Sequence, residues 1–176
     1  MVIVVSCAPG LSAYQPSSYC DKEKLIIYSP DIAAHKQACL DKIAERFPDF
    51  KLVEIRGITF DRYMDLATRC MFSITFGEGF DGYLAQPIQM GGVGFAIYSD
   101  EFFPSEDFKK YFNIFLDDRE MIDFICDRMS QLINDEFRYN ELSKAFQMEY
   151  KKLYDYGDYI SRLRKLSLRE FEIFPQ

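Results

Sequence analysis

Three glycines and two acids share six positions in the run Gly77-Glu78-Gly79-Phe80-Asp81-Gly82, within the longer stretch FSITFGEGFDGYLAQPIQMGG at 72–92. Glycines bring backbone N–H groups close to a ligand. A helix that begins behind such a turn aims its positive end at a phosphate or a hydroxyl-rich group. The β-forming run at 71–76 before the turn and the helical pattern at 83–90 after it place the loop at the carboxyl end of a strand, where open parallel sheets bind ligands. Turn chemistry alone is also compatible with a plain strand-to-helix connection, so both readings stand at this point.

Other chemistries have weaker footing. His35 is the single histidine of the chain, and no G-x-S-x-G turn accompanies it, which argues against nucleophilic hydrolysis. The five cysteines, Cys7, Cys20, Cys39, Cys70 and Cys126, lack C-x-x-C spacing and are expected as reduced thiols, several of them filling the core. Asp117-Asp118 precedes a helical pattern and reads as a cap, so no metal site is expected. The net charge of −7 and the absence of any basic run longer than Lys109-Lys110 or Lys151-Lys152 argue against a nucleic-acid partner. No apolar run approaches a bilayer span and no secretory signal is evident, so the chain is expected to be soluble and cytoplasmic, with peripheral membrane association left open.

The elements needed to position the turn follow from periodicity. With 176 residues, 48% of them apolar, the chain can bury one substantial core, and a single domain is expected over 1–176. Its lead-in at 1–24 combines a strand at 2–5 with a polar linker. Strands are predicted at 25–29, 51–55, 71–76, 93–98 and 111–116. Helices are predicted at 33–47, ended by Pro48, at 59–69 with Thr59 as N-cap, at 83–90, from Asp117-Asp118 to about 133, and at 137–154. A tail helix over 156–176 carries Tyr156, Tyr159, Leu163, Leu166, Phe171 and Phe174 at amphipathic spacing. Strands alternating with helices imply an α/β fold with a parallel sheet.

Glu78-Gly79-Phe80, followed by a helix closing in Met90-Gly91-Gly92 and a short strand at 93–98, resembles the donor-site signature of retaining glycosyltransferases of the GT-B fold, the group 1 type. The family pattern is Glu-Gly-Phe-Gly-Leu-Pro with a second Glu. Here Asp81 stands at the third glycine position, Gly82 follows one place late, and Gln86 occupies the position of the second glutamate. The resemblance covers most of the chain and implies a Rossmann-like sheet flanked by helices, forming the donor-binding, C-terminal half of a GT-B enzyme of polysaccharide biosynthesis. It further implies a nucleotide-diphosphate sugar as substrate, no cofactor and no metal. The acceptor would be held by an N-terminal half or partner chain, onto which the tail helix would cross, and the isolated domain would be inactive.

Carried over by position, Glu78 faces the sugar, Gly77, Gly79, Phe80, Asp81 and Gly82 supply the turn around sugar and diphosphate, and Gln86 faces the ribose. The family's arginine position falls near Pro30-Asp31, so Lys36, with His35, becomes the candidate cation, and Arg56 an alternative. Tyr28, Ser29 and the loop Gly57-Ile58-Thr59 are placed to line the base pocket. Two other classes stay open: a GT-B-like interaction module without catalysis, and a nucleotide-sugar epimerase of similar architecture.

Overall fold

The computed structural model describes residues 14–77, 79–153 and 156–168. Five strands form one all-parallel sheet in the order β2-β1-β3-β4-β5. The strands are β1 (Glu23–Tyr28), β2 (Lys51–Glu54), β3 (Cys70–Ile74), β4 (Val93–Ile97) and β5 (Ile114–Phe115). The helices are α1 (Lys36–Arg46), α2 (Phe60–Arg69), α3 (Gly82–Gln89), α4 (Asp118–Ile133), α5 (Glu136–Leu153) and α6 (Tyr156–Ser167). The α/β class with helices on both faces is as the alternating pattern predicts. The strand expected at 2–5 and the end of the tail helix lie outside the described residues.

The two faces of the sheet differ in what they bury. Toward α1 and α4 the sheet is covered by large rings: Phe50, just before β2, then Phe72, Phe95 and Phe115 of β3, β4 and β5 follow one another at centroid separations of 6.2, 5.7 and 6.1 Å. Cys39, Leu40 and Ile43 of α1 and Met121, Ile125, Met129 and Leu132 of α4 close over them. Toward α2 and α3 the sheet offers small residues at its centre. An added Cβ on Gly94 would meet Leu84 Cδ1 at 2.6 Å and Ser73 Oγ at 2.9 Å, so Gly94 is what lets α3 lie close on the sheet.

Local chemistry sets the element ends. Thr59 Oγ1 accepts from Arg62 N at 3.3 Å, the expected N-cap of α2. Asp117 caps α4 by accepting from Glu120 N at 2.7 Å, and the Glu120 carboxylate accepts in return from Leu116 N at 2.6 Å. The predicted strand at 111–116 contracts to two paired residues. Arg128 donates to the carbonyls of Phe112 and Ile114 at 3.0 and 2.9 Å and pairs with Glu120, so a helix side chain fastens this edge of the sheet. Helix α1 begins three residues later than predicted because 34–35 form a turn and Lys36 folds its side chain back toward β1.

The amino edge holds a buried cation. Lys22, 9% exposed, donates to the carbonyls of Thr68 and Met90, both at 2.7 Å, and so joins the ends of α2 and α3. At the far side of the sheet, Tyr139 of α5 donates its hydroxyl to Met71 O at 2.6 Å and packs against Phe72.

Candidate functional site

The strand order reverses at β1 and β3, and in doubly wound sheets the crevice beyond the carboxyl ends at such a point is where ligands bind. Three of the loops that leave the carboxyl edge flank this point. One follows β1 and carries Ser29, Pro30 and Asp31; one follows β2 and carries Ile55 to Thr59; the third follows β3 and is the glycine turn. Between the second and third lies an open cleft of about 390 Å³, walled by Ile58, Phe60, Tyr63 and Tyr83, with Gly82 and Gln86 at its inner side.

Gln86 is the polar group built into that wall. It is 8% exposed, on the first turns of α3, and its Oε1 is buried without a hydrogen-bond partner. Such an atom forgoes water and gains nothing from the protein, which favours a ligand N–H or O–H opposite it. Tyr63 donates to Gly82 O at 2.7 Å, holding the start of α3 against α2, and stacks edge-on with Tyr83 at 5.9 Å. The predicted loop Gly57-Ile58-Thr59 does line the cleft with Gln86.

The glycine turn is organised differently from the sequence expectation. Space beside each of the three glycines of the turn is taken by the protein itself. A Cβ on Gly77 would meet the Asp31 carboxylate at 2.6 Å, one on Gly79 would meet the Phe103 ring at 2.7 Å and Ile97 O at 2.8 Å, and one on Gly82 would meet Gln86 Oε1 at 2.7 Å. Gly79 is buried with φ +87°, so it turns the chain inward and does not open it to a ligand. Phe80 anchors the turn, with Phe103, Phe108 and Tyr150 rings 5.3, 5.1 and 5.9 Å away. Glu78 lies outside the described residues.

Asp81, expected beside the ligand, is the N-cap of α3. Its Oδ1 accepts from Tyr83 N at 2.8 Å and Leu84 N at 3.2 Å, and Oδ2 accepts from Thr75 Oγ1 at 3.3 Å. Those amides are therefore engaged and do not await a phosphate. Burial pushes the Asp81 carboxyl up to about 6, with the nearby Asp31 charge adding to the rise and the cap bonds opposing it.

The two candidate cations are also engaged. Lys36 Nζ donates to Ser29 O at 2.9 Å, Asp31 O at 3.1 Å and Glu54 Oε1 at 2.9 Å, and lies 5.1 Å from the Tyr28 ring centre. Arg56 Nε pairs with Glu54 Oε2 at 2.9 Å and its terminal nitrogen donates to Pro30 O at 2.9 Å. His35 packs against Phe76 at 5.5 Å, its Nε2 is buried without a partner, and burial lowers its pKa. Tyr28 and Ser29 do not line the cleft. Tyr28 lies under Lys36, and Ser29 Oγ accepts from Phe76 N at 2.9 Å, tying β1 to β3. Burial raises the pKa of the Tyr83 hydroxyl, Asp31 and Asp81 raise it further and Arg56 opposes them.

Of the residues named from the sequence, Gln86, Gly82 and the loop at 57–59 line the cleft; Phe60, Tyr63 and Tyr83 line it too, and Glu54 binds both candidate cations, without having been singled out. Position was the usable signal for Glu54: it ends a strand two residues before Arg56. Among the described residues no group of three or more acidic, histidine or cysteine side chains is arranged to hold a metal, and no helix is long and apolar enough to cross a membrane. No protein-family model, curated protein or solved structure matches the chain.

Proposed function

We propose that the chain is the donor-binding domain of a glycosyltransferase, holding a nucleotide-diphosphate sugar at the carboxyl edge of the sheet for transfer to an acceptor on a further domain or partner chain. The observation that carries this reading is the cleft itself. Aromatic side chains of Phe60, Tyr63 and Tyr83 offer planar apolar walls for a nucleobase, and the unpartnered Gln86 Oε1 offers an acceptor to the nucleoside. The sugar would extend toward the glycine turn, with Glu78 facing it. No metal or cofactor is invoked.

Titration calorimetry of the chain with uridine, guanosine and adenosine, their 5′-diphosphates and the corresponding diphosphosugars tests this. Heat is expected with one nucleoside series, weakened about tenfold by Gln86→Leu, a loss typical of one hydrogen bond to a buried acceptor. Glu78→Ala is expected to weaken the diphosphosugar and leave the nucleoside unaffected. Absence of heat with every ligand would overturn the proposal.

A second reading, a non-catalytic interaction module on the same fold, is favoured by the engagement of both Lys36 and Arg56 with Glu54. Binding of nucleosides with no diphosphosugar binding under any condition would support it.

A further inference from the structure

At the end of β2 one carboxylate faces two cations with both of its oxygens. Glu54 Oε1 accepts from Lys36 and Oε2 from Arg56, each at 2.9 Å, and the two hydrogen bonds hold the Glu54 carboxyl below its ordinary range, Arg56 contributing most. Two oxygens shared between a lysine and an arginine form the arrangement in which proteins hold a phosphate. The next residues along the chain, Ile55 and Gly57, line the cleft on either side of Arg56. The rim therefore carries an internal anion at the place where the ligand's own anion would gain most.

The surroundings add to this. Asp31, beside Gly77, and Asp81, at the start of α3, are the other acids here, so among the described residues Lys36 and Arg56 stand against three carboxylates. The Asp81 cap has already taken the Tyr83 and Leu84 amides. What remains for a phosphate is the Glu54-bound pair. Arg56 is the more exposed member: its side chain is 64% exposed against 15% for Lys36, and it is held by one backbone carbonyl, that of Pro30, where Lys36 is held by two.

We infer that Glu54 is the specificity-determining residue of the cleft: its carboxylate occupies the cationic pair that a ligand diphosphate would otherwise engage, so the site takes the nucleoside part readily and admits a diphosphate only in exchange for Glu54. This rests on the reading of the cleft as a nucleoside site. Glu54 acts through Lys36 and Arg56 and is a positioning residue for their charges.

Glu54→Gln removes the charge at nearly constant shape and leaves Lys36 its Ser29 and Asp31 acceptors. Calorimetry with uridine, guanosine and adenosine and their 5′-diphosphates, on the natural chain and on Glu54→Gln, reads the effect. The diphosphate of the nucleoside that binds is expected to tighten about tenfold in Glu54→Gln and to weaken more steeply with added salt, the nucleoside itself changing less than about twofold. Adding Arg56→Gln is expected to remove the gain. Glu54→Asp, too short to reach both cations, serves as a second variant with the same expected direction. Unchanged diphosphate affinity with intact nucleoside binding would overturn the role of Glu54 and leave the cleft reading standing. No nucleoside binding to either protein would overturn both.

Discussion

Tyr63 on α2 donates its hydroxyl to the carbonyl of Gly82, the first residue of α3, at 2.7 Å, and this bond spans the inner side of the cleft. Tyr63→Phe keeps the ring contacts with Phe60 and Tyr83 and removes only that tie. A loss of about 1 kcal/mol in urea unfolding is expected, the usual worth of one buried neutral bond. A midpoint equal to that of the natural chain would show that the cleft is held by packing alone.

Asp81 makes stability depend on pH. Its folded carboxyl is raised to about 6 from the ordinary 3.8, so between these values the folded state holds a proton that the unfolded chain has released. Stability from this group is fully present below about 4 and declines as pH rises to 6, by at most about 3 kcal/mol. Asp81→Asn retains an N-cap acceptor for Tyr83 and Leu84 and removes the titration. Urea midpoints of the variant are expected to exceed those of the natural chain above pH 6 and to converge with them near pH 4.

Two glycines with positive φ separate backbone strain from crowding. Gly57, at φ +65°, has nothing within 4 Å of an added Cβ, and Gly57→Ala is expected to lose about 1 kcal/mol from backbone conformation alone. Gly79→Ala adds the collision with Phe103 and with the Ile97 carbonyl, and a loss of about 3 kcal/mol is expected. Chemical denaturation of both variants gives the comparison; equal losses would mean that Phe103 moves aside freely.

Lys22 works in the alkaline range. Burial lowers its folded pKa to about 8 from 10.5, so the unfolded chain binds the extra proton between those values and stability rises with pH across that window. Ser17 also donates to both carbonyls that Lys22 reaches, through Oγ to Thr68 O at 2.5 Å and N to Met90 O at 3.1 Å, so Lys22→Met leaves neither acceptor bare. The variant is expected to match the natural chain within about 1 kcal/mol at pH 7 and to lack its gain from pH 8 to 10. A persisting rise would assign the effect to another group.

Periodicity was enough for the sheet and most helices because their burial is local in sequence: the apolar stripe of α4 and the Thr59 and Asp117 caps are written in adjacent residues. The short β5 was not legible: the residues before it close a turn, Ile114 N donating to Tyr111 O at 3.0 Å, and Arg128, fourteen and sixteen residues further on, takes the carbonyls of Ile114 and Phe112. The glycine turn was misjudged for a related reason. Asp31 and Phe103, which fill the spaces beside Gly77 and Gly79, come from loops far along the chain. Gln86 was named from its place in the resembled donor-site pattern and the loop at 57–59 from its place at the carboxyl edge, and both line the cleft, whereas Tyr63 and Tyr83 read as ordinary helix residues until the cleft showed what lies between them.

The bond from Tyr139 to Met71 bears on how far the chain can be trimmed. A fragment stopped after α4 would strip the cover from Phe72 in the middle of the sheet and leave a strand carbonyl without its tyrosine donor, and it would also forfeit Phe146, which closes over Phe108 and Tyr111. The smallest autonomous unit thus reaches well into α5, and that helix belongs to the body of the domain.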